Sequence, residues 1–404
     1  MLSFVKGAIG IERDEEQHVS AVLLRGRTVL TGPRAPKNRI VAPTIRDVAA
    51  AAGLSVTAVS RHFNNRIALP TDTVARIEAA ANDLGYRPNV AARRLSLGSS
   101  ESLGLILSDI AYPFFSAIAS VAEAECARLG YSLLIFNSRN IVENEIAHLR
   151  RIESAQVDGI LFMTNHSGAS EVAETVNRVR NVVLLDEDVP NAEAPRLYAR
   201  NRNGGRLATE HLLAAGHRRI AFVGGDRNLI SSAERFAGYR EALEAAGIDP
   251  DPSLMLFLGY EAADGEAAFA ILDQFKEPPT AIFVAADVVA LGILRAAREA
   301  GLSVPEDLSI IGFDDIPNAD VIGPPLSTVR QSFETFGVRG VQLLVGLLRG
   351  EQSPETIEYV DVELVSRSSV APPRLRRHWR TAPRSATKSR EVAQGQPNKK
   401  GEKK

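Results

Sequence analysis

One cysteine, Cys126, occurs in the whole chain, so no intrachain disulfide can form. That usage suits a reducing cytoplasm. Cys126 falls in a helical apolar pattern, 114–129, where packing is the expected role rather than reactivity. No apolar run approaches the ~18–20 residues of a membrane-spanning helix. Residues 1–13 hold one lysine and no sustained apolar core, which argues against a secretory leader. Enzymatic signatures are also missing. There is no G-x-G-x-x-G, no Walker lysine and no nucleophile elbow, and Gly224-Gly225-Asp226 alone does not make a nucleotide site. No Cys/His cluster accompanies His211 and His217, so no metal or other cofactor is expected.

What the chain has is length and an uneven charge. Its 404 residues, 45% hydrophobic and 24% charged, suit two or three globular domains. Residues 44–98 carry seven arginines against four acidic residues, net +3. Residues 372–404 carry eleven basic against two acidic residues, net +9, and residues 1–43 are net +3. The whole chain is net −2, so the body between is net −17. A basic head on an acidic body points to a polyanion bound at one end.

Residues 1–43 show no period and read as a flexible arm. Methionine occurs only at Met1, Met163 and Met255, and Val41 stands just before the first good helix start. A translation start near Val41, with residues 1–40 an artefact, is one expectation. Thr44-Ile45-Arg46-Asp47 then looks like a capping box with Asp in the acidic place. A short helix runs to Ala52 and Gly53 ends it. Ser55 caps a second helix, 56–63. Pro70-Thr71 starts a third, which Gly85 stops. Residues 90–97 form a last short piece before a Gly98-Ser99-Ser100 linker. Two short helices around a Gly-containing turn fit a helix-turn-helix, whose second helix enters the major groove. Ser55, Val56 and Thr57 would then meet base edges, with Arg61 one turn on. Arg can grip guanine, Thr can hydrogen-bond a base, and Val can meet a thymine methyl.

From Ser102 the pattern becomes alternating strands and helices. Apolar strand candidates are 103–107, 132–136, 159–163, 182–185, 220–223, 281–284 and 308–313. Helix candidates include 204–214, 232–245 and 287–299. This alternation predicts parallel sheets with helices on both faces, in two doubly wound lobes. Asp109, Asp186, Asp287 and Asp314 each follow an apolar strand, where ligands of such sheets sit. Carboxylates there can accept hydrogen bonds from vicinal hydroxyls, and Arg235 offers a fork of donors. Beyond Arg367 the Pro-, Arg-, Lys- and Ser-rich chain reads as disordered.

The order and spacing of Thr44-Ile45-Arg46-Asp47-Val48-Ala49, Ala52-Gly53-Leu54-Ser55, Val59-Ser60-Arg61 and Leu84-Gly85-Tyr86-Arg87-Pro88-Asn89 carry a resemblance. They are similar to the head of the lactose/galactose repressor (LacI/GalR) family. Matching pieces of the body include Val157-Asp158-Gly159-Ile160, Gly216-His217-Arg218-Arg219-Ile220, Ile311-Gly312-Phe313-Asp314-Asp315 and Leu326-Ser327-Thr328-Val329-Arg330-Gln331. The resemblance spans about residues 44–370. It implies a small all-α helix-turn-helix head and an α/β body of two doubly wound lobes, like periplasmic sugar-binding proteins. The domains expected are an arm (1–43), a DNA-binding head (44–88), a hinge helix and linker (89–100), an effector-binding and dimerisation body (101–371) and a basic tail (372–404).

That resemblance implies a DNA-contacting set of Thr44, Ser55, Val56, Thr57, Ser60, Arg61 and Asn64. It adds the hinge residues Asn89, Ala92, Arg93 and Leu95, with Leu95 wedged into the minor groove at the operator centre. It implies effector contacts from Arg235, Asp287 and Asp314, with Phe114 as the pocket floor; Asp109 and Asp186 join the expected effector set by their place after apolar strands. Partners would be operator DNA, a second copy of the chain, and a sugar or sugar phosphate. The residues depart from the family pattern at Ala58, where Thr is usual, and at Ala286, where an Asn-Asp pair is usual. They depart again at Tyr112, Glu187 and Arg200, so the ligand chemistry should differ from a common hexose site. Arg200 and Arg235 keep a phosphate in view. With no leucine heptads in 372–404, a dimer is the default. The competing expectations are a sugar-binding protein without DNA function, which leaves residues 44–98 unexplained, and a sugar-active enzyme, for which no acid/base pair is evident.

Overall fold

The computed structural model describes residues 43–64, 69–87, 99–166, 168, 170–374 and 379. The chain divides into two compact units, Met1–Asn89 and Val90–Lys404. In the first, three helices form: α1 Ile45–Ala52, α2 Val56–Phe63 and α3 Thr71–Leu84. Each end has its cause. Asp47 and Thr44 form the capping box that starts α1. Gly53 and Gly85 close α1 and α3 in the left-handed conformation, at φ 63° and 62°. The Ser55 hydroxyl accepts from the Ala58 N–H at 3.1 Å and starts α2. Val48, Ala49, Val59, Ile77, Ala80 and Ala81 make the small core. The Arg76 guanidinium donates to the Ala52 carbonyl at 2.6 Å, so α3 satisfies an open carbonyl at the end of α1.

The second unit holds two six-stranded sheets. The first contains β1 Ser102–Leu107, β2 Ser132–Asn137, β3 Gly159–Phe162, β4 Val182–Leu185, β5 Arg196–Ala199 and β11 Ile357–Val360. Its order is β11-β5-β4-β3-β1-β2. The second contains β6 Ile220–Gly224, β7 Met255–Phe257, β8 Ala281–Val284, β9 Ser309–Asp314, β10 Ser327–Gln331 and β12 Val362–Val365. Its order is β12-β10-β9-β8-β6-β7. The pairings are parallel except β10 with β12. Parallel strands buried on both faces read as unbroken apolar runs, which is why β1, β4, β6 and β8 were legible.

Eight helices connect these strands: α4 Pro113–Arg128, α5 Val142–Leu149, α6 Ser170–Val179, α7 Asn201–Ala214, α8 Ile230–Ala245, α9 Ala262–Leu272, α10 Asp287–Glu299 and α11 Phe333–Leu348. The chain passes between the lobes three times, after Ala199, after Gln331 and between Val360 and Val362. In each sheet the strand order reverses beside the first strand, between β1 and β3 and between β6 and β8. Ligands of open α/β sheets sit outside the carboxyl ends at such points.

The expected disorder beyond Arg367 does not hold for the described residues. Ile310 N–H donates to the Ser369 carbonyl at 2.9 Å, Ala371 N–H donates to the Ser309 hydroxyl at 3.1 Å, and His217 bonds the Ala371 carbonyl at 2.9 Å. Trp379 is buried and stacks on Phe269, with ring centroids 5.3 Å apart. Backbone pairing to β9 and one large aromatic surface outweigh the polar composition there. Cys126 is fully buried, as its pattern predicts.

Candidate nucleic-acid interface and ligand cleft

In the head, α2 buries Val59 and presents the opposite face. Ser55, Val56, Thr57 and Arg61 are exposed on it, while Ser60 is half-buried and receives a 3.2 Å hydrogen bond from the Asn64 amide. Val56 is 42% exposed, a large apolar side chain with no packing role in this unit. Ser55 spends its hydroxyl oxygen as a cap, so its first duty is to shape the helix start rather than to touch a base. Thr44 likewise sits in its capping box. Asn89, Ala92, Arg93 and Leu95 lie outside the described residues.

In the body, one cavity of about 1040 Å³ opens between the lobes at the carboxyl ends of the strands. Asp109, Phe114, Asp186, Arg235 and Asp314, all expected effector residues, line it. Asp287 does not. It is fully buried, and its carboxyl accepts from the Thr328 hydroxyl at 2.8 Å and the Ile316 N–H at 3.0 Å. Position after a strand was the signal for Asp287, but the side chain turns back into lobe two. Arg200 is also not part of the lining; it pairs at 2.7 Å with Asp361 on the surface.

The electrostatic centre is Arg235. Its Nε donates to Asn201 Oδ1 at 2.8 Å and its Nη1 to the Ala285 carbonyl at 2.6 Å, with the guanidinium 3.8 Å from the Phe313 ring centre. Asp314 Oδ1 lies 3.8 Å from Nη1 and accepts from the Gln331 amide at 2.7 Å. Two glycines make this placement possible. A Cβ on Gly205 would sit 2.1 Å from the Arg235 carbonyl oxygen, and one on Gly238 would sit 2.0 Å from the Arg202 carbonyl oxygen. Only with hydrogens there can α7 and α8 touch along their backbones and bring Asn201 to Arg235.

Three buried carboxyls surround that single guanidinium. Burial pushes Asp314 up to about 7, against the pull of Arg235. Burial, then the neighbouring Asp186, pushes Glu187 up to about 8. Burial raises Asp186 as well, and its Oδ1 is buried without a hydrogen-bond partner among the described residues. Glu187 bridges the lobes: its carboxyl accepts from the Ser231 hydroxyl and from the Ser231 N–H at 3.4 Å, at the start of α8. Tyr112 makes a second bridge, donating to the Tyr260 carbonyl at 2.8 Å.

Sequence reasoning flagged Tyr112 as a departure from a pattern, and Glu187 both as a departure and as one of the acids near the cleft. It missed Ser231, Tyr260, Gln331 and His166. Ser231 and Gln331 stand inside regular elements where periodicity gives polar residues no address. His166 lines the cavity and shares a 3.2 Å hydrogen bond with the buried Glu145, which also accepts from Thr164.

A convex helix face on one unit and a polar cleft between two parallel sheets on the other have known counterparts. Residues 44–89 match the signature of "Bacterial regulatory proteins, lacI family", and residues 209–370 match "Periplasmic binding protein-like domain". The HTH-type transcriptional repressor PurR of Haemophilus influenzae (strain PittEE) is 34% identical over 332 residues, covering 81% of this chain and 98% of that one. The chain belongs to the LacI family of bacterial regulatory proteins.

Other members of the LacI family agree. The HTH-type transcriptional regulator DegA of Bacillus subtilis is 33% identical over 333 residues, with 81% and 98% covered. Among solved structures, the Lac repressor dimer bound to operator and the anti-inducer ONPF superposes with a TM-score of 0.71 at 28% identity, covering 81% of this chain and 99% of that one. The CelR-cellobiose complex gives 0.63 at 29% identity, with 81% and 99% covered. The chain is accordingly a DNA-binding transcriptional regulator with an effector-binding body. No helix among its described residues is long and apolar enough to cross a membrane.

Proposed function

We propose that this chain acts in the cytoplasm as a homodimeric repressor that reads a pseudo-palindromic operator and answers to a small polyhydroxylated effector. Two copies of α2 would read two half-sites, since one head covers only one. Thr57, Arg61 and Val56 would face base edges, and the resemblance puts Leu95 in the minor groove between the half-sites. The cleft supports the effector half of the reading. Its buried polar groups are Asp186 and Asp314 at strand ends and Arg235 on α8, and Asp186 Oδ1 has no donor among the described residues. An unpaired buried acceptor costs ~1–3 kcal/mol, which a ligand donor would restore. With Arg200 outside the cleft and seven carboxyl groups lining it, an anionic sugar phosphate is disfavoured. The operator and the effector would be coupled because the ligand bridges two lobes whose relation a dimer transmits.

A band-shift titration tests this. Binding to selected operator DNA should fall steeply with salt, with a log–log slope near −0.9 per phosphate contact. Arg61→Ala should cost about 1–3 kcal/mol on the selected operator and little on random DNA. Equal loss on both would remove Arg61 from base reading, and no salt-dependent binding would sink the DNA function.

A further inference from the structure

The cleft gathers more acidic groups than a neutral polyol needs. Asp186, Glu187 and Asp314 are all buried against one cation, Arg235. That cation is already engaged by Asn201, the Ala285 carbonyl and the Phe313 ring. Counting exposed positions, the cavity is lined by seven carboxylates, two guanidiniums and His166. Burying several carboxyls beside one cation is costly unless each is paired or neutralised; Glu187 and Asp314 meet that cost by holding protons, which a bound cation could replace. The local loops explain some of the exposed ones: Asp109 caps the Ala111 N–H at 3.0 Å, and Asp264 caps the Glu261 N–H at 2.9 Å. They do not explain Asp186, whose Oδ1 is buried, unpartnered and part of the cavity wall. Nor do they explain Glu187, whose donor among the described residues is Ser231.

We infer that the effector carries a protonated amine, seated on the adjacent Asp186 and Glu187 carboxylates. An ammonium offers three donors and one positive charge. It would complete Asp186 Oδ1, stand in for the proton Glu187 otherwise holds beside Asp186, and lie in a cleft walled by the aromatic residues Tyr112, Phe114 and Tyr260, which favour cations over anions. The arrangement selects an amino sugar over the neutral sugar of the same shape. The inference rests on the effector-cleft assignment and narrows it to one chemical class.

Matched probe pairs decide it. D-glucosamine with D-glucose, and D-galactosamine with D-galactose, are titrated into the full-length protein at pH 7.5 by calorimetry and thermal shift. At least one amino sugar should bind at least about tenfold more tightly than its neutral partner, as close buried charge pairs allow. Glu187→Gln, nearly isosteric, should shrink that ratio toward one, and Asp186→Asn should weaken the amine more than the neutral sugar. Should a variant fail to fold, the wild-type ratio alone decides. A neutral sugar that binds as well as its amine overturns the amine inference and leaves the effector cleft standing. No binding by any of the four also overturns it. The operator reading does not depend on these probes, since the band shift tests it separately.

Discussion

Asp287 can be separated cleanly from the ligand set by removing it. Its carboxyl ties three neighbouring strands together: it starts α10 after β8, accepts from Ile316 after β9, and accepts from Thr328 on β10. All three residues are buried. The carboxyl lies so close over Gly312 that a Cβ there would fall 2.0 Å from Oδ1. Asp287→Ala therefore strands a buried N–H and a buried hydroxyl at once. Each unsatisfied group costs ~1–3 kcal/mol, so the body should lose about 2–6 kcal/mol. Domains have about 5–15 kcal/mol in total, so the variant should unfold at far lower urea or not accumulate. Asp287→Asn keeps an acceptor and the shape, and should lose about 1–3 kcal/mol while retaining effector response. Equilibrium urea unfolding followed by fluorescence measures both. If Asp287→Ala unfolds within ~0.5 kcal/mol of wild type yet no longer answers effector, the scaffold role is wrong and Asp287 contacts ligand.

Gly205→Ala tests how Arg235 is placed. Helix propensity alone would favour alanine by ~0.5–1 kcal/mol, but the added Cβ would meet the Arg235 carbonyl at 2.1 Å. The clash should win, destabilising by ~1–3 kcal/mol and weakening effector response while operator binding persists; a stabilised variant would refute the close approach. Stability should also fall as pH rises from 6.8 to 8.5. Glu187 and Asp314 are raised to about 8 and 7, so the folded body holds protons that the unfolded chain has already released, and each step up in pH favours unfolding. His148, His211 and His217 are lowered by burial and act mainly below this window, as does Glu125, lowered to about 2 by Arg128. Urea midpoints at the two pH values measure it, Glu187→Gln should flatten the slope, and a midpoint that rises with pH would contradict the buried-acid account.

The head was legible almost residue by residue because its boundaries are local chemistry. Gly53, Ser55 and Gly85 act through their own backbone and nearest neighbours. The body was legible where strands are buried on both faces. It was not legible at β5, β7, β10, β11 and β12. β7 has only three residues, β10 reads Ser-Thr-Val-Arg-Gln, and β11 exposes Ile357 and Tyr359. Such strands exist because a sheet edge or lobe crossing recruits them, a cause that lies far along the chain. The site divides the same way. Asp186 and Asp314 could be found because a carboxylate after an apolar run has a definite address. Asp287 had the same address and a different direction, which depends on Thr328, 41 residues on.

The cleft contacts also bear on how a ligand could change the relation of the lobes. Two polar contacts reach across the cleft at its acidic end, Glu187 to Ser231 and Tyr112 to the Tyr260 carbonyl. Ser231 further shares a 3.2 Å hydrogen bond with the Tyr260 hydroxyl, so the two contacts meet on one small network. A ligand donor that reaches Asp186 arrives one residue from Glu187 and must either join this network or displace Ser231 from it. Joining it holds the lobes together; displacement frees α8 from lobe one. Effector binding has leverage on lobe closure through differential contact with these two arrangements, and affinity equal for both would leave the equilibrium where it was. Glu187 is thus where ligand chemistry and lobe geometry meet in this chain, and the sign of the regulatory response turns on which of the two arrangements its ligand favours.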